Sequence, residues 1–187
     1  MKPVLFSIHI LLLLLTADVQ AQRRLPGQQT VQATVGPVDG FSKKSFHTGV
    51  ALSRFTKNSN RWTFGAEYLH KEFRYQEQPI PVEQLTGEAG FFLSVLSDRS
   101  KTFFVTAGLS GMLGYELVNR DKSLLYDGSS LLPESKFLCG GALSFEIEAW
   151  PADRVILLAG FRQRVLPGSA VSKFHNQLLI GIKFVIN

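Results

Sequence analysis

Between Leu178 and Ile186 every second residue is apolar: Leu178, Ile180, Ile182, Phe184 and Ile186, with Gly181 and Lys183 among the residues between them. That is the two-residue period of a β-strand with one apolar face. Comparable alternation occurs in seven earlier stretches: Thr30–Gly36, Ser45–Arg54, Arg61–Lys71, Val82–Leu96, Thr102–Glu116, Phe137–Trp150 and Val155–Arg164. The eighth is Gln177–Ile186. No amphipathic helix of useful length and no internal repeat divides them. The pattern predicts a single all-β domain, and a length of 187 residues agrees with one domain.

The last strand is strongly apolar, and the chain ends one residue after it. Such a strand is stable if its apolar face meets lipid and its edge is closed against the first strand. The connections support this reading. "FTKNSN", "SDRSK" and "PADR" are short, whereas "EFRYQEQPIP", "LVNRDKSLLYDGSSLLPESK" and "VLPGSAVSKFHN" are longer. Short turns at one end and longer loops at the other are the asymmetry of an outer-membrane barrel. The expected fold is a single antiparallel barrel of about eight strands, of the outer-membrane type. A soluble periplasmic β-sandwich is the alternative.

The two faces distinguish these readings. Phe103, Val105, Ala107, Leu109, Leu113 and Tyr115 share one face of their strand. Thr106, Gly108, Ser110, Gly114 and Glu116 share the other, together with Phe104 and Met112. Gly49, Gly65, Gly90, Gly108, Gly114, Gly140, Gly160 and Gly181 all fall on polar faces. Glycine weakens a solvated strand but gives room in a narrow lumen filled by side chains. Gly87, Gly111 and Gly141 depart from this pattern. The same parity puts Glu67, Glu88, Glu146 and Glu148 with Arg162, Arg164 and Lys183. Because buried charge must be paired, these seven are expected to form a lumen ion network. On a sandwich they would be solvated charges. Trp62, Tyr68, Phe73, Tyr115 and Trp150 lie near strand ends and are expected in interfacial girdles.

Residues 1–21 read as a signal peptide. Lys2 precedes the apolar run Val4–Leu15, and Val19-Gln20-Ala21 offers a cut before Gln22. The barrel domain would then span 22–187. The run is short for a spanning helix. The expected location is the outer membrane after export, with the periplasm as alternative. The net charge of +5 is spread rather than clustered, so no direct nucleic-acid contact is expected. Cys139 is the only cysteine, which excludes an internal disulfide.

No catalytic, cofactor-binding or metal-binding residues are assigned. His47, His70 and His175 lack metal-ligand spacing. "GLSGMLG" at 108–114 has no βαβ context. No cofactor and no small-molecule substrate is evident, and membrane lipid is an expected partner. The long connection Leu117–Lys136 holds candidate partner-binding residues Asn119, Arg120, Asp121, Lys122, Tyr126 and Asp127. Its apolar residues give it a second reading, as a cap over the barrel mouth.

Five stretches, "AQRRLPGQQ", "GAEYLHKEFRY", "IPVEQLTGEAGFFL", "GYELVNRDKSLLYDGS" and "FLCGGALSFEIEAW", resemble the TraO family of conjugative-transposon proteins from Bacteroidetes. The resemblance runs over nearly the whole chain after residue 21. It implies a non-enzymatic part in conjugative DNA transfer, within an envelope-spanning mating apparatus whose other proteins would be its partners. It supplies no catalytic motif. A small outer-membrane enzyme is the alternative from a different functional class.

Overall fold

The computed structural model describes residues 24–41, 44–75, 78–118, 136–169 and 172–187. Eight strands form one closed antiparallel barrel in chain order: β1 (Gln29–Pro37), β2 (Phe46–Phe55), β3 (Arg61–Tyr75), β4 (Gln78–Ser97), β5 (Phe103–Val118), β6 (Lys136–Ala152), β7 (Val155–Val165) and β8 (Phe174–Val185). β8 returns to pair with β1, from Thr30↔Val185 to Val35↔Ile180. Closure leaves no edge strand, so the sandwich alternative is excluded.

The alternating patterns fold this way because each strand has a second surface to satisfy. Leu109, Ile180 and Phe145 are exposed on the outer wall, at 69%, 63% and 49%. Their neighbours Ser110, Leu179 and Glu146 point inward and are buried. The apolar band is thus on the outside and the charge on the inside. This is the distribution of a barrel whose wall meets hydrocarbon.

Two expectations need correction. The stretch read as a loop around Gln78–Pro81 is strand: β3 and β4 stay in register up to Tyr75↔Gln78. Pro79 and Pro81 suggested a break, but the β3–β4 register runs through both, as Arg74↔Pro79 and Glu72↔Pro81. Trp150 is not in a girdle. It is fully buried in the lumen against Phe55, Phe104 and Ile156. It follows the inward parity of Glu148, next to an irregularity in the β6–β7 register between Ala149 and Ala152. Trp62 and Tyr115 are half exposed on the outer wall, and Trp62 packs on Phe91 with ring centres 4.9 Å apart.

Candidate functional site

The barrel interior is layered along its axis. At the end with the short turns, Phe55, Phe104, Trp150 and Ile156 form an apolar layer. The segment before β1 folds back over it. Gly27 has φ +91°, a backbone that a side chain would strain, and its N–H donates to the Phe55 carbonyl at 2.8 Å. This turn carries Arg24 inward. The Arg24 guanidinium lies 3.7 Å from the Phe104 ring centre and 5.2 Å from that of Phe55. It pairs with buried Glu148.

The next layer is ionic. Arg61 pairs with Glu146 and, at 2.8 Å, with Glu148. Lys183 reaches Glu148 at 2.6 Å and Glu146 at 3.3 Å. Phe92 lies under the Arg61 guanidinium at 4.4 Å. Deeper in, Arg162 contacts Glu67 at 3.1 Å and Glu88 at 3.2 Å, while Arg164 contacts Glu67 at 2.9 Å. Gln177 donates to Glu67 at 2.7 Å, and Arg162 donates to Ser144 at 3.0 Å. His47 Nδ1 is 3.6 Å from Glu67. Met112, Leu138, Ala142 and Leu166 pack as a separate apolar cluster.

The loop end has its own network. Asp39, in the β1–β2 connection, accepts from Lys71 at 2.6 Å, from the Asn176 amide at 2.7 Å, and pairs with His175 Nδ1 at 2.9 Å. Its own N–H donates to the Asn176 carbonyl at 2.7 Å. Burial opposes the Asp39 charge, but the hydrogen bonds from Lys71, Asn176 and His175 outweigh it and hold the carboxyl below its ordinary range. Gln84 and Ser169 both donate to buried Glu116, each at 2.7 Å.

All seven residues read as a lumen network lie inside the barrel, and the structure brings them into two contacting groups. Among the described residues five bases are buried: Arg24, Arg61, Arg162, Arg164 and Lys183. They face Glu67, Glu88, Glu146 and Glu148. Sequence reading missed Arg61, His47, His175 and Gln177, although strand parity contains each of them. Nothing periodic marks Arg24, which precedes β1. The candidate partner residues Asn119, Arg120, Asp121, Lys122, Tyr126 and Asp127 lie outside the described residues, as do residues 1–21. No group of three or more His, Cys, Asp or Glu side chains among the described residues could hold a metal ion.

A closed eight-stranded barrel with an apolar wall and a packed ionic interior defines a class, and solved members resemble this chain in fold. Ail, the attachment invasion locus protein of Yersinia pestis, superposes with TM-score 0.57 at 10% identity, covering 87% of this chain and 100% of its own. Neisserial surface protein A gives 0.58 at 15% identity, covering 84% and 97%. The N-terminal β-barrel domain of Pseudomonas aeruginosa OprF gives 0.54 at 7%, covering 86% and 98%. No curated protein matches the sequence. The family does: residues 25–186 match the conjugative transposon protein TraO, and the chain belongs to that family.

Proposed function

We propose that this TraO protein is a non-enzymatic structural component of the conjugative DNA-transfer apparatus, seated in the outer membrane after removal of residues 1–21. The observation that carries the membrane seating is the inverted barrel: an exposed apolar wall around buried, mutually paired charges. Water does not stabilise such a wall, and hydrocarbon does. A structural role is supported by the interior, where Glu67, Glu88, Glu146 and Glu148 are bound to arginine or lysine and Glu116 accepts from Gln84 and Ser169. Asp39 and His175 tie a loop to β8. DNA would pass outside this barrel, because eight strands enclose only enough space for side chains.

Contact with the other apparatus proteins is assigned to the long connection between β5 and β6. Replacing 119–134 with a short Gly/Ser turn is the test. The barrel should still fold, read as heat-modifiable migration on a gel, while conjugation frequency falls sharply. Unchanged transfer rejects the partner role, and loss of the folded form assigns the loop to capping. Carbonate extraction should leave the protein in the membrane pellet. The intact mass of envelope-derived protein should match Gln22–Asn187.

A further inference from the structure

At the loop end, Lys44 pairs with Glu72 at 2.8 Å and Lys71 with Asp39 at 2.6 Å, while among the described residues there Lys173 is exposed and makes no ion pair. At the turn end, Arg54, Lys57, Arg99, Lys101 and Arg154 are all exposed, and among the described residues none of the five makes an ion pair. Two acids share that end. Asp98 is occupied by the Thr102 and Phe103 amides, both at 2.8 Å. Asp153 is exposed. The turn end thus carries an excess of unneutralised positive charge.

These bases begin where the apolar wall stops. Arg54 shares the outward face of β2 with Leu52, which is 44% exposed, and lies in register with Trp62 of β3. Leu96 and Phe103, 65% and 54% exposed, flank the turn that holds Arg99 and Lys101. A ligand contacting both features has acyl chains beside an anionic oxygen group.

We propose that this collar binds the phosphates of anionic phospholipids in the leaflet facing the turns, with their chains against the adjoining wall. The inference rests on the membrane seating proposed above. Lys and Arg held near an anionic leaflet each contribute about 1 kcal/mol, so a few of them produce a clear lipid preference.

The test places the purified full barrel in vesicles of equal parts phosphatidylcholine and phosphatidylglycerol. Native mass spectrometry then reads the lipids that stay bound. Phosphatidylglycerol should be retained over phosphatidylcholine by about fivefold or more. The Arg54→Gln/Lys57→Gln/Arg99→Gln variant should bring that ratio near one while keeping heat-modifiable migration. Lys44→Gln, at the loop end, should leave it unchanged. If the triple variant fails to fold, Arg99→Gln/Lys101→Gln carries the same comparison. A wild-type ratio near one overturns the inference, as does a ratio that the turn-end variants do not move. Displacement of phosphatidylglycerol by inorganic phosphate would make the site one for free phosphate and overturn the lipid assignment. A barrel that stays in the aqueous phase removes the membrane seating, and this inference with it.

Discussion

Leu109 and Ser110 are adjacent in the chain and sit in different solvents. Leu109 is 69% exposed on the wall and Ser110 is 5% exposed in the lumen. Lysine at a lipid-facing midplane position costs about 2–4 kcal/mol. Leu109→Lys is therefore expected to lower folded yield in vesicles, measured by heat-modifiable migration, well below wild type. Ser110→Thr, which adds a methyl group to the lumen, should cost less. Glu148 faces Arg24, Arg61 and Lys183 at once. Glu148→Ala leaves buried positive charge without its partner and should cost about 3–5 kcal/mol in urea unfolding. Pairing it with Lys183→Met should recover part of that loss, since residues in one network are not additive. Asp39 gives a pH signature. Its carboxyl is held below the ordinary range, so its stabilising effect is complete above its unfolded value of about 4. The effect is lost as pH falls through the lower folded value. The stability gap between wild type and Asp39→Asn should shrink with acidification over that window.

Within one strand, the two faces set opposite rules for glycine. A Cβ on Gly108 would lie 2.3 Å from the Phe92 ring, and Phe92 supports Arg61. Gly108→Ala should destabilise by about 1–3 kcal/mol through overpacking. Gly111, three residues on, has nothing within 4 Å of such a Cβ. Gly111→Ala should leave the unfolding midpoint unchanged. Strand periodicity made this legible: inward Gly108 and outward Gly111 both follow from counting by twos, as do the seven network charges. The extension of β3 and β4 was hidden because Pro79 and Pro81 look like strand breakers in the sequence, and only the paired register shows the strands running on. The Asp39–His175 tie spans 136 residues, and no local pattern reports a contact at that separation. Arg24 was hidden for a related reason: its place depends on the turn at Gly27, outside any strand.

At the scale of the whole molecule, the interior is a filled column. Phe55, Phe104 and Trp150 are each buried to within 1% at the turn end, and paired charges occupy the middle. The purified barrel in a planar bilayer is expected to show no porin-like conductance steps at either polarity. Large steady steps would contradict the packed lumen.

The eight seams of the wall are not equally long. β3 and β4 stay in register over fifteen pairs, from Arg61↔Phe92 to Tyr75↔Gln78. β1 and β8 share six, from Thr30↔Val185 to Val35↔Ile180, extended by the Val38↔Gln177 bridge and the Asp39 ties. Under tension the cylinder therefore has a built-in tear line, and a pull that separates the two ends of the chain loads it directly. A pull on the β3–β4 hairpin spreads across its long register instead. Donor and recipient cells drawn apart during mating would strain whatever holds their envelopes, and a protein with this wall survives best when gripped opposite its seam.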